Sequence, residues 1–89
     1  MKSYLIGCDL NRPGQNYPEL IEAIKNFSLS WHHLDRAWIL KTDWSAKEVR
    51  NYLKPHIDSG DELLVVELTG EGAWAGFNDE AVSWLIENL

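Results

Sequence analysis

Hydrophobic and polar positions alternate along four stretches of the chain, whereas apolar residues recur with helical spacing along three others. The alternation, with Val and Leu enrichment in the last stretch, predicts β-strands. These strands are predicted over residues 3–10, 31–34, 37–42 and 62–68. The second and third strands form a tight hairpin around Asp35 and Arg36. Because this turn lacks glycine, a single long bent strand is the alternative.

Helix start signals precede the three segments with helical spacing. Asn16 with Glu19 resembles a capping box, and Pro18 suits a first helical turn. Ser45 with Glu48, three residues later, forms a second capping box. A third helix follows Asn78 as the capping residue, with acidic residues in its first turn.

The resulting order is strand, helix, strand, strand, helix, strand and a final helix. The first six elements are the βαββαβ order of the ferredoxin-like fold, an α+β fold with helices on one face of an antiparallel sheet. We therefore predict one ferredoxin-like domain over residues 1–89, with an extra C-terminal helix. The other face needs a cover, which the extra helix or a second subunit could supply. Gly7 would permit close approach of another chain, and so small a domain favours a homodimer.

Charge is distributed unevenly along the chain. The formal net charge is −6, and all Lys and Arg residues lie within residues 1–54. An acidic protein is a poor general binder of nucleic acid, because neutralising phosphates supplies most of that affinity. No apolar run approaches the roughly 20 residues of a membrane span. The single cysteine, Cys8, fits a reducing compartment, so we expect a cytoplasmic protein with no membrane partner.

The segment after the first strand carries the strongest chemical signal. Asp9 ends an apolar strand, which places a carboxylate at the mouth of a possible site. Asn11, Arg12 and Gln15 follow in a polar loop and can contact phosphate. One carboxylate is too few for a firm Mg²⁺ site, but two Asp9 residues brought together by a twofold axis could hold one ion. Arg12 could equally contact a phosphate or pair with Asp9.

Two motifs extend this prediction by resemblance. The segments Tyr4-Leu-Ile-Gly-Cys-Asp9 and Asp61-Glu-Leu-Leu-Val-Val-Glu-Leu68 resemble small CRISPR-associated adaptation nucleases and virulence-associated protein D toxins. The chain is most similar to bacterial proteins labelled SinR-family, in which Asp-Leu-Asn-Arg-Pro-Gly and Thr-Gly-Glu-x-Ala-Trp recur. The resemblance implies a ferredoxin-like homodimer in which Asp9 approaches its twofold mate and binds a divalent metal. The segment Leu34–Trp38 departs from the Gln-x-Ser-Val-Phe pattern of those relatives.

Other candidate groups have structural explanations that we favour. His32 and His33 would point to opposite faces of a strand and cannot share a metal. Trp74, in a glycine-rich loop, is a candidate ligand-binding residue, because aromatic rings stack on bases and also mark protein interfaces. No base is identifiable beside Cys8, which argues against nucleophilic catalysis.

Three functions are therefore predicted. The first is metal-dependent endonuclease or phosphodiesterase activity, with Asp9 as the catalytic and metal-binding residue. The second is binding of nucleic acid or nucleotide phosphates without catalysis, by Asn11, Arg12, Gln15 and Trp74. The third is interaction with a protein partner, as in a toxin–antitoxin or phage-defence pair. The acidic net charge and the departure at Leu34–Trp38 favour the second and third functions over the first.

Overall fold

The computed structural model describes residues 1–9, 17–27, 29–34 and 36–89, apart from the side chain of His33. Strands and α-helices follow in the predicted order, with one turn of 3₁₀-helix at Lys54–His56. The strands are β1 (Lys2–Asp9), β2 (Leu29–Leu34), β3 (Ala37–Thr42) and β4 (Glu62–Leu68). The helices are α1 (Pro18–Lys25), α2 (Ala46–Leu53) and α3 (Asp79–Asn88).

The four strands form one sheet in the order β2-β3-β1-β4, and every neighbouring pair is antiparallel. This α+β arrangement is compatible with the predicted ferredoxin-like fold. Because β2 and β3 pair as separate strands, the hairpin prediction is confirmed and the single bent strand is excluded. The ladder between them shifts register between Trp31 and Leu34. Such a shift twists an edge strand locally.

One face of the sheet builds the main core together with α1 and α2. Alternate residues of β1 point to this face, and Tyr4 and Ile6 are fully buried there. The amphipathic faces of the two helices complete the core with Leu20, Ile24, Val49 and Leu53. We call this the helix-covered face.

The helices begin largely where the sequence predicts. The Ser45 hydroxyl accepts a hydrogen bond from the Glu48 amide, and the Glu48 carboxylate accepts one from the Ser45 amide, which confirms that capping box. Asn78 caps α3 through its side-chain oxygen. For α1 the predicted cap is wrong by one residue, because Tyr17 occupies the N-cap with a left-handed φ of 42°. Asn16 lies outside the described residues.

Within the described part of the chain, α3 and the loop before it cover part of the second face of the sheet. Trp31 of β2 stacks on Trp84 of α3, with ring centroids 5.8 Å apart. The Ser3 hydroxyl donates a 2.8 Å hydrogen bond to the carbonyl of Asn88, which holds the end of α3 over β1. The predicted role of the extra helix as a cover is therefore confirmed for part of this face. No α-helix in the described ranges has both the length and the apolar composition needed to cross a membrane.

Candidate functional site

The uncovered part of the second sheet face is apolar. Leu34, Leu64, Val66 and Trp74 are 47%, 56%, 38% and 36% exposed, although all are large apolar or aromatic residues. Gly7 and Ala37 lie between them at the centre of the sheet. We call this surface the open patch. Its residues are Gly7, Leu34, Ala37, Leu64, Val66 and Trp74.

Strand register explains why these residues share one surface. Ala37 is paired with Leu34 on one side and with Gly7 on the other, and Gly7 is paired in turn with Leu64. Directly opposite residues on neighbouring strands point to the same face. The four positions therefore form a row across the whole sheet, with Gly7 as its lowest point.

Among the residues that the structure describes, neither backbone conformation nor packing requires a glycine at position 7. A Cβ atom added there would have its nearest neighbour, the Cβ of Leu64, at 3.9 Å, which is an ordinary van der Waals contact. Its φ is also outside the left-handed region, unlike those of Gly70 and Gly76. Glycine weakens the interior of a strand by roughly 0.5–1 kcal/mol relative to alanine. Because Gly7 has no Cβ atom, it leaves free space above the sheet, and this lowers the stability of the strand.

Trp74 borders the open patch from the loop before α3. A groove of about 210 Å³ lies between the sheet, this loop and α3, and Trp74, Leu34 and Ala37 are among its lining residues. The predicted ligand-binding residue Trp74 thus faces an apolar groove on the sheet. In the part of the chain that is described, no basic side chain lines this groove.

Asp9 lies at one end of the same face. Alternation along β1 places it on the side of Gly7, and its side chain is 68% exposed. A guanidinium nitrogen of Arg36 is 3.5 Å from a carboxylate oxygen of Asp9. The Arg36 carbonyl also accepts a hydrogen bond from the Cys8 amide, which anchors the arginine beside the end of β1. Arg36 therefore pairs with Asp9, a role that the sequence suggested for Arg12.

A second carboxylate stands next to Asp9. Glu62 of β4 is directly opposite Asp9 in the β1–β4 ladder, so both project from the same face. Among the residues that the structure describes, no group of three His, Cys, Asp or Glu side chains is placed to hold a metal ion. The described residues of one copy therefore present two acids and one competing guanidinium at this end of the sheet.

The other predicted phosphate-binding residues, Asn11, Arg12 and Gln15, lie outside the described residues. The structure therefore places only Asp9 and Trp74 of the predicted set. Both are on the open side of the sheet, Asp9 at the end of β1 and Trp74 in the loop before α3. The structure adds Arg36 and Glu62 as neighbours of Asp9. The sequence alone does not identify Arg36 and Glu62 as neighbours of Asp9, because this requires knowledge of how the strands pair.

The surroundings of Cys8 and His32 indicate structural roles for both residues. Burial and, to a smaller extent, the nearby negative charge of Asp61 together raise the pKa of the Cys8 thiol to about 11. Such a thiol is a poor nucleophile at neutral pH, because the thiolate is the reactive form. The His32 ring stacks on Trp38 with centroids 4.5 Å apart, so it covers a core tryptophan.

Comparison with known proteins identifies no family for this chain. No protein-family model, no curated protein sequence and no solved structure matches the chain significantly.

Proposed function

We propose that this chain is a ferredoxin-like interaction module that works as a homodimer, in which two copies pack their open patches together. The observation that supports this most directly is the apolar row around Gly7. Two of its members, Leu34 and Leu64, remain about half exposed, and the row has free space at its centre. Contiguous exposed apolar surface of this kind marks an interaction site in soluble proteins.

A second copy is the occupant that suits the patch best. Twofold dimers use the same surface on both subunits, and the open patch can be complementary to itself because its exposed leucines can fill the partner's depression at Gly7. The chain is also small, and a domain of this size buries only about 60% of its unfolded surface, so association adds stability. Two copies that each carry a charge of −6 repel one another overall, which favours contact through an uncharged patch.

Association can be tested by light scattering coupled to size-exclusion chromatography over a range of protein concentrations. We expect a dimer mass for the unmodified chain and a monomer mass for Leu64→Lys, because a buried lysine without a partner opposes the contact. Ile86→Lys is the matched control. Ile86 is 69% exposed on α3, outside the open patch, so this variant should remain dimeric.

The measured mass also separates the two main alternatives. A monomer mass for the unmodified chain would contradict the homodimer and favour a different protein partner on the same patch. Dimer formation that is equally sensitive to Leu64→Lys and Ile86→Lys would place the contact elsewhere.

A second candidate function is metal-dependent phosphodiester hydrolysis at two Asp9 residues. The location of Asp9 and Glu62 on the face that carries the open patch favours it, because a dimer through this face brings two sets of carboxylates toward each other. Mg²⁺ prefers oxygen ligands and retains several waters, so few carboxylates suffice. Asn11, Arg12 and Gln15 would then contact the nucleotide phosphates.

The assay is Mg²⁺-dependent cleavage of labelled RNA and DNA by the unmodified chain and by Asp9→Asn. Activity that disappears in Asp9→Asn while the dimer mass is retained would support this function. Equal activity of the two proteins would exclude Asp9 as the catalytic residue.

A further inference from the structure

Three aromatic rings meet at the surface on the helix-covered side of the molecule, away from the open patch. Phe27 follows α1, Trp44 lies between β3 and α2, and Tyr52 is on α2. The ring centroids are 5.2 Å apart for Phe27 and Trp44, 5.6 Å for Phe27 and Tyr52, and 5.5 Å for Trp44 and Tyr52. With Asn26 they line a cavity of about 190 Å³, which we call the aromatic pocket.

The rings are nearly perpendicular to one another, with interplanar angles of 78°, 89° and 86°. Their centroids form an almost equilateral triangle. The cavity is lined by all three rings, so a bound group can contact each of them, and a cation over a ring face within about 6 Å of its centroid is attracted to it. Trp44 and Tyr52 are 40% and 36% exposed, so their rings remain accessible to a ligand.

Hydrogen bonds hold the pocket in place without a ligand. The buried Tyr4 hydroxyl donates a 2.7 Å hydrogen bond to the carbonyl of Trp44, and the Trp44 amide donates one to the Thr42 hydroxyl. The Asn26 side-chain amide donates to the Tyr52 hydroxyl over 3.3 Å. A site that is formed before binding loses less conformational entropy when the ligand arrives.

One carboxylate, that of Glu48, lies close to the residues of the pocket. Glu48 is one helical turn before Tyr52 on α2, and its carboxylate accepts a hydrogen bond from the amide of Ser45, the residue after Trp44. Hydrogen bonds with the backbone and the side chain of Ser45 lower the pKa of Glu48, so this carboxylate is ionised at neutral pH. A fixed carboxylate next to three aromatic rings suits a ligand with a positive charge and an apolar surface.

We propose that the aromatic pocket binds a quaternary ammonium group, carried by a small molecule such as choline. The methyl groups of this cation contact the rings, and its charge is attracted by the ring faces and by Glu48. The cavity is smaller than the roughly 300–1,000 Å³ of pockets for drug-sized ligands. Its size therefore suits a small head group and excludes a whole nucleotide.

The test compares choline with its neutral isostere, 3,3-dimethylbutan-1-ol, in buffers of equal ionic strength. Binding is followed by the indole N–H signals in nitrogen–proton NMR spectra, with the Trp44 signal assigned from a Trp44→Phe variant. We expect choline to shift the Trp44 signal and to bind about tenfold more tightly than the isostere. Equal affinity for the two probes, or no shift of the Trp44 signal with choline, would overturn the proposal.

Variants separate the aromatic and electrostatic contributions. We expect Tyr52→Leu to weaken choline binding by roughly threefold or more. Glu48→Gln keeps the capping acceptor but removes the charge, so it should weaken binding most at low ionic strength. Ile86→Ala, which shortens an exposed apolar side chain on α3 outside both the aromatic pocket and the open patch, is the control and should bind as the unmodified chain does.

A loss of binding in Ile86→Ala equal to that in Tyr52→Leu would overturn the assignment to this pocket. If Tyr52→Leu does not fold, the comparison of choline with its isostere on the unmodified chain still decides the proposal.

A peptide containing trimethyllysine carries the same group on a protein. Its affinity relative to that of choline identifies which source of quaternary ammonium the pocket prefers.

Discussion

Replacement of Gly7 by alanine tests whether this glycine serves the fold or a contact with a second copy. The added Cβ would lie 3.9 Å from the Cβ of Leu64, and the backbone φ suits any residue. Alanine is favoured over glycine in a strand interior by roughly 0.5–1 kcal/mol. We therefore expect the isolated Gly7→Ala chain to be as stable as the unmodified chain, or more stable by up to that amount.

The expected effect on association has the opposite sign. A methyl group inserted into a well-packed contact costs roughly 1–3 kcal/mol, and a twofold dimer contains two such groups. The two groups together should cost at least about 2 kcal/mol, which corresponds to roughly a thirtyfold or larger increase in the dissociation constant. Sedimentation equilibrium measures that dissociation constant. Urea titration at a protein concentration below the dissociation constant measures the stability of the monomer.

Gly70 provides the contrast. Its φ of 105° is in a region that side chains rarely adopt, although no atom within 4 Å would meet a Cβ there. Gly70→Ala should therefore destabilise the chain by about 1 kcal/mol or more while leaving association unchanged. An unchanged dissociation constant for Gly7→Ala would refute the contact at Gly7. A loss of monomer stability in Gly7→Ala would refute the reasoning that the fold has room for a side chain there.

The remaining predictions concern local interactions. Asp9→Asn should change the free energy of unfolding in urea by less than about 1 kcal/mol, because the ion pair with Arg36 is exposed; a larger loss would indicate a structural role. Ser45→Ala should cost about 1 kcal/mol in the same titration, because it removes the hydroxyl that caps the Glu48 amide; no change would contradict the capping box. The folded chain retains the Cys8 proton up to a pKa of about 11, whereas the unfolded thiol loses it near 9.0. Stability should therefore fall as pH rises through this window, and less steeply in Cys8→Ala, so parallel pH profiles would contradict the raised pKa.

Much of the secondary structure could be predicted because the local signals were strong and consistent. The Ser45–Glu48 capping box and Asn78 mark the starts of α2 and α3 by side-chain chemistry that needs no tertiary context. The start of α1 was displaced by one residue because Tyr17 adopts a left-handed conformation. Propensity disfavours this conformation for a bulky residue, so a local pattern does not indicate it.

The surroundings of Asp9 and the aromatic pocket depend on contacts between distant parts of the chain. Arg36 reaches Asp9 only because β1 and β3 pair with Gly7 opposite Ala37, and a shift of register would remove this ion pair. Phe27, Trp44 and Tyr52 come from three separate elements, so no periodic pattern links them. Local patterns therefore predicted the elements, whereas the site required knowledge of how they pack.

The surroundings of Asp9 connect the proposed dimer with the proposed catalysis. In one copy the carboxylate already has Arg36 as a partner, and an added metal ion would have to compete with that guanidinium. Glu62 supplies a second carboxylate, but the positive charge of Arg36 opposes a cation there, so one copy would hold the ion weakly. A second copy doubles the carboxylates and also brings a second Arg36. Metal binding at Asp9 should therefore depend on protein concentration as dimer formation does, and Leu64→Lys should abolish both, although Leu64 would not contact the ion.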